Sequence, residues 1–251
     1  MEASIEKQIS KIESGINTNA ANFGKVTGIC ITFGPAFDPA NPLIKVAAQQ
    51  ELLARVRHAI NDVDYAKPLA ERAESDRFDK FAALPLLATR IQAAAIVLEL
   101  PAMVIENIKE IVRKIRGKRK KALKPESFSV GNEPKKHISV SQVSFAEQIE
   151  HFTQLVMHVS TQPEYVPKEA DLKVTALNAF LQSLGIANDA ANSALQTLAD
   201  ARKVRNDLLY APETGMIDVA MKVKQYVKSV FGANSPEYKE VWHIKFERRK
   251  I

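Results

Sequence analysis

Apolar residues recur at three- and four-residue spacing through most of this chain, the signature of helices that bury one face. The pattern begins between Ser4 and Glu13, where Ile5, Ile9 and Ile12 make a short amphipathic arm. It breaks between Phe23 and Pro42, where Gly24, Gly28, Gly34, Pro35, Pro39 and Pro42 oppose a continuous helix. Within that break Val26, Ile29, Ile31 and Phe33 predict a short extended segment lying on the bundle. Asn41-Pro42 marks a helix start, because Asn caps and Pro suits the first turn. The spacing predicts a helix from Leu43 to Asp64 with Val46, Leu53, Val56 and Ile60 inward. Pro68 opens the next helix, which buries Leu69, Ala73, Phe78, Phe81 and Leu84, and Pro85 kinks or ends it. Leu87, Ile91, Ala95 and Leu98 continue the stripe. After Pro101, Val104, Ile105, Ile108, Ile111, Val112 and Ile115 form the strongest amphipathic face of the first half, and Gly117 stops it.

The second half repeats this texture. Ser141 or Ser144 caps a helix with Phe145, Ile149, Phe152, Val156 and Val159 on one face. Pro163 to Pro167 is a turn. Leu172, Leu177, Leu181 and Leu184 carry a further helix, and Gly185 marks a bend or stop. Ala187 to Tyr210 is Ala-rich, which lets a neighbouring helix approach closely. Pro212 to Gly215 turns the chain into a last helix, Met216 to Phe231, with Ala220, Val223, Val227 and Val230 inward and Gly232 as its stop. In the tail Trp242, Ile244 and Phe246 alternate, which reads as extended. In one constant register Leu53 matches Leu181, Val56 Leu184, Ala59 Ala187, Ala66 Ala194, Ala73 Ala201 and Arg77 Arg205, the mark of a degenerate tandem duplication. The expected fold class is all-α, as antiparallel helical bundles. The expected segments are an arm and irregular segment (1–42), a first bundle half (43–117), a basic hinge (118–140), a second half (141–232) and a tail (233–251).

Composition agrees with helix. Only 9 of 251 residues are Gly and 7% are aromatic, too few for a β-sandwich of this length. The net charge of +6 and pI near 9.3 bias the chain toward anionic partners. Cys30 is the only cysteine, which excludes an internal disulfide and a cysteine-rich zinc site. Its Gly-Ile-Cys-Ile setting reads as a buried, inert thiol. The N-terminus lacks a basic start followed by an apolar core, so a cytoplasmic protein is expected. Phe81 to Ile105 is the most apolar stretch. Pro85, Arg90, Glu99 and Pro101 interrupt it, so no membrane span is expected there.

Charge concentrates in Arg113, Arg116, Lys118, Arg119, Lys120, Lys121 and Lys124, a candidate polyanion site or a solvated hinge. Single-strand recognition also wants stacking aromatics, and Phe128 is the only one nearby. Tyr238, Trp242 and Phe246 form a candidate partner-docking tail, against the plainer expectation that the tail docks on its own bundle. His151 and His158 stand two turns apart, too far to share one ion, and read as boundary residues with satisfied tips. Arg205, echoed by Arg77, reads as a tie between helices through a carboxylate such as Asp200 or Asp207. Gly24-Lys25 lacks the spacing of a phosphate loop. No catalytic, cofactor or metal motif stands out, and no cofactor is expected.

Three segments carry a likeness: Pro163 to Leu172, Arg205 to Tyr210, and Val223 to Gly232 followed by Ser235 to Lys239. Asn41 to Ile44 and Arg116 to Arg119 add to it more loosely. In these the chain resembles an uncharacterised family of bacterial hypothetical proteins. The resemblance spans most of the chain and implies one shared helical architecture, with no activity, cofactor or partner to carry over. The expected function is a noncatalytic helical scaffold or interaction module with a protein partner. The alternatives are nucleic-acid binding through the basic hinge and a membrane-active helical protein inserting Phe81 to Ile105.

Overall fold

The structure, a computed structural model, describes residues 2–117 and 144–248, with side chains from Gly15 onward. Its helices are α1 (Glu2–Thr32), α2 (Val46–Ala82), α3 (Leu84–Val97), α4 (Ala102–Ile115), α5 (Phe145–Ser160), α6 (Val174–Tyr210), α7 (Met216–Phe231) and α8 (Pro236–Trp242). Short 3-10 turns cover Gly34–Ala36, Pro42–Ile44 and Ala170–Leu172. No strand occurs among the described residues, and the fold is all-α.

Several local rules yielded to burial. The segment expected to be extended, Val26 to Phe33, is helical through Thr32. Each helical Gly costs about 1 kcal/mol. Sealing Phe23, Val26 and Cys30 in the core returns about 1.5–3 kcal/mol per large side chain. At Gly24 a Cβ would make ordinary contact with α2, 3.4 Å from Leu53 Cδ2. Pro68 does not open a new helix but lies inside α2, between the buried Ala66 and Ala70. Gly185 likewise lies within α6 and stops nothing. Asn41 caps as expected, accepting from Leu43 N at 3.0 Å, but into a 3-10 turn that precedes α2. Ser144 caps α5 in a full capping box with Glu147. Leu69, Phe78 and Val230, expected inside, are exposed.

The long helices share one plan. Each has 37 residues and each follows a 3-10 turn. A buried aromatic residue and a buried proline enter each turn, Phe37 and Pro39 in one and Tyr165 and Pro167 in the other. In one register Val56 matches Leu184, Ala59 Ala187, Ala70 Leu198 and Phe81 Leu209, and all eight are buried. The same register joins Ala88, Ile91 and Ala95 of α3 to Met216, Val219 and Val223 of α7. The first helices match one residue further on, Phe23 with Phe152, Val26 with Leu155 and Cys30 with Val159. Both halves of the chain run in one order: helix, 3-10 turn, long helix, two shorter helices.

The compact units do not coincide with these halves. Unit 1 holds residues 1–69 and 195–251, and unit 2 holds residues 70–194. The expected halves, 43–117 and 141–232, each contribute to both. Unit 1 takes α1 and the start of α2 from the first half, and the end of α6 with α7 and α8 from the second. Unit 2 takes the complementary pieces. Within unit 1, α1 packs on α7 and α8, and α7 on α8. Within unit 2, α5 packs on α3 and α4, and α3 on α4. Unit 1 has a core around Phe23, Val56, Met216 and Val223, and unit 2 one around Leu84, Ile91, Ile108, Phe152 and Leu184.

Because each unit draws on both sides of residues 118–143, a cut there should leave the fold assembled. With a protease site inserted between Pro125 and Glu126, the cleaved full chain is expected to elute at full-chain size in native buffer. Fragments that part without denaturant would refute this division.

Candidate functional site

The basic block is only partly within view. Arg113 lies in the last turn of α4 and pairs with Glu110 at 3.4 Å, and Arg116 caps that helix. Gly117 follows with φ of 63°, a left-handed stop suited to glycine. Lys118, Arg119, Lys120, Lys121 and Lys124 lie outside the described residues.

The tail is engaged within unit 1. Trp242 ends α8, so the expected extended alternation begins only after it. Tyr238 is buried, and Ile244 and Phe246 pack partly buried against the unit 1 core. Asn19 Nδ2 donates to Glu247 O at 2.8 Å, and Glu247 N donates back to Asn19 Oδ1 at 2.9 Å. Asn22 Nδ2 donates to Lys245 O at 2.8 Å, and Arg248 pairs with Asp218. Lys224, itself buried, donates to the carbonyls of Ile244 and Trp242 and faces the Phe246 ring at 5.2 Å. Burial, with Lys245 nearby, pushes its ammonium pKa down. Of the three candidate docking residues, only Trp242 keeps a large exposed fraction.

Unit 2 holds a different surface. A groove of about 500 Å³ runs between α3 and the turn from Val166 to Leu172. Ala93, Ala94, Val97 and Leu98 line one wall, and Val166, Pro167 and Leu172 the other. Val97 is 79% exposed and Val166 71%, so both offer apolar surface to solvent. The rim is charged in both signs. Arg90 forms a two-pronged ion pair with Asp171, one arm at 3.1 Å, and Lys168 and Glu169 stand beside it. The guanidinium holds the Asp171 carboxyl below its usual range. The pair is about half exposed, so solvent screens most of its attraction. The turn is held by Tyr165, whose buried hydroxyl donates to Leu172 O at 3.2 Å. Burial, with Glu169 and Asp171 nearby, pushes that hydroxyl up to about 12.

None of the groove residues stood out as a site in the sequence. Their signal was the excess of apolar residues in Phe81 to Ile105, more than one buried face can use. α3 buries Leu84, Ala88, Ile91 and Ala95 and leaves Leu86, Ile96 and Val97 outside. Among the described residues the helical run Val46–Val97 is long and apolar enough to cross a membrane, and only 28% of its most apolar window is buried.

Other singled-out residues are structural. Cys30 is buried, and burial pushes its thiol up to about 12, far from reactive. Arg77 lies over the Phe145 ring at 4.3 Å and donates to Asn192 Oδ1 at 3.2 Å, tying α2 to α5 and α6. Buried Arg205 donates to Asn206 Oδ1 at 3.4 and 3.3 Å, a partner other than the aspartates expected. His151 departs from expectation. It is 5% exposed, and among the described residues neither ring nitrogen has a hydrogen-bond partner. Burial first, then Lys114, hold its pKa below the ordinary 6.5, against the weaker pull of Glu150 and Glu147. Among the described residues no three His, Cys, Asp or Glu side chains gather as a metal site.

No protein-family model matches this chain, and neither a curated protein nor a solved structure matches it.

Two outcomes follow from this chemistry. His151 is neutral when folded, so the unfolded chain takes up the extra proton as pH falls through 6.5. Stability from this group is whole above pH 6.5 and declines below it, at most about 1.4 kcal/mol per pH unit, until the folded pKa is passed. Thermal unfolding of His151→Phe should show a shallower acid loss than the parent chain, and equal slopes would refute the assignment. Lys224→Ala removes charged hydrogen bonds worth about 1.5–3 kcal/mol in all and should free the tail. Faster tryptic cleavage at Lys245 than in the parent chain is the expected result.

Proposed function

We propose that this chain is a noncatalytic helical interaction module that docks a segment of a partner protein in the α3 groove of unit 2. The observation that carries the reading is the groove itself: two apolar walls, with Val97 and Val166 exposed to solvent, around a charge-balanced rim. Its volume falls in the range of sites that enclose a ligand group, about 300–1,000 Å³. Burying Val97 and Val166 under a partner would withdraw apolar surface from water, at about 25 cal/mol per Å². The rim sets Arg90 and Lys168 against Glu169 and Asp171, so docking there gains little from long-range attraction.

Apolar docking at a neutral rim differs in salt response from nucleic-acid binding through the basic block, which weakens steeply with salt. A protein partner retained by the parent chain should persist between about 50 and 300 mM salt. It should also persist when Lys118 to Lys121 become Ala, and be lost with Val97→Asp. Salt-sensitive nucleic-acid binding that vanishes on neutralising Lys118 to Lys121, with no effect of Val97→Asp, would overturn the proposal. The exposed face of α3 also suits lipid. Vesicle leakage abolished by Ile96→Asp would replace peptide docking with membrane insertion.

A further inference from the structure

After α8 the tail runs along α1 and α7 of unit 1, and its side chains alternate. Ile244 and Phe246 turn to the core, and Lys245 and Glu247 stay exposed. The side chains that hold this segment grip its backbone. Asn19 donates to the Glu247 carbonyl at 2.8 Å and accepts from the Glu247 N–H at 2.9 Å. Paired residues of an antiparallel β-ladder exchange the same two bonds. Asn22 donates to the Lys245 carbonyl at 2.8 Å, and Lys224 donates to the carbonyls of Trp242 and Ile244. Asn19 is 1% exposed and Lys224 4%, so neither reaches water and each depends on the segment for a partner. At the far end Arg248 pairs with Asp218.

Recognition through main-chain groups gives affinity with little regard to side-chain identity, and alternate side chains supply the selectivity. We infer that the α1–α7 face of unit 1 is a groove for an extended peptide, that the tail is its occupant in cis, and that a partner segment with apolar side chains at alternate positions displaces the tail. The buried Tyr238 and Val241 keep α8 anchored, so the release is confined to the residues after it. A segment on so short a tether stands at about millimolar effective concentration. The tail therefore shields the groove until a partner binds more tightly or reaches that concentration. This surface does not depend on the α3 groove of unit 2 being a docking site.

The test uses the full chain and an end-capped, fluorescent peptide of residues 242–248. Ile244→Asp with Phe246→Asp releases the tail and leaves Asn19, Asn22 and Lys224 in place. This variant should bind the peptide at least about tenfold more tightly than the parent chain. A methyl on the peptide's Glu247 amide nitrogen should abolish binding, because it removes the N–H that Asn19 accepts. Replacing His243, Lys245 and Glu247 of the peptide by Ala should leave binding within about threefold, since their backbone is what the groove holds. Adding Asn19→Ala to the released variant should lose it. In case the released variant folds poorly, hydrogen exchange on the parent chain gives a second reading. About millimolar peptide should speed exchange of the parent's Glu247 amide, and the methylated peptide should not. Equal binding by parent and released chains, or binding indifferent to the methyl group, would place the peptide elsewhere and overturn the inference. No binding by a released variant of parental helix content would also overturn it, as would unchanged exchange in the parent chain.

Discussion

Everything in this fold depends on keeping α2 and α6 helical for 37 residues each. Each helix serves two cores in turn, and a break in either would separate residues that different units need. In α2 that continuity is maintained against Pro68, which removes a backbone donor and costs about 3 kcal/mol in a helix interior. Ala66 and Ala70 are buried on either side of it, together with Val63 and Val56 further back. A break there would interrupt the helix between Val56 and Ile60 of the unit 1 core and Phe81 of the unit 2 core. α6 meets the milder demand of Gly185 next to the fully buried Leu184.

The shared order of elements is then finished in two ways. α4 and α8 occupy matching places in that order, but α4 runs for fourteen residues and α8 for seven. Unit 2 covers α5 with helix, whereas unit 1 covers α1 with an extended tail pinned by Asn19, Asn22 and Lys224. The consequence is chemical. Asn19 and Asn22 find backbone partners in the tail, whereas in unit 2 the buried His151 of α5 has none among the described residues. The groove beside α3, lined by Ala93, Ala94, Val97 and Leu98, is a feature of unit 2.

The distribution of charge supports the same division of labour. Lysine and arginine exceed acidic residues overall, but at the groove rim the signs balance. An apolar recess with a neutral rim offers shape and desolvation rather than long-range attraction.

The sequence by itself determined the class of fold, because apolar residues keep helical spacing through most of the chain. It also determined several stops and caps, at Gly117, Ser144, Gly215 and Gly232, where one residue's stereochemistry decides. At Gly215 even a Cβ would meet the Ala211 backbone at 2.6 Å. Matched pairs such as Val56 with Leu184 were legible too, because helix register preserves spacing. What the tertiary structure decided was everything that turns on competition with burial: a helix through Val26 to Thr32, the survival of α2 past Pro68, and the fate of the tail. It also decided how the halves share their cores, since spacing along a chain does not say which apolar face meets which. The groove belongs to that second group. The surplus of apolar residues in α3 was visible in the sequence, but only packing shows that Leu84 and Ile91 are spent on the core and Val97 is left facing water.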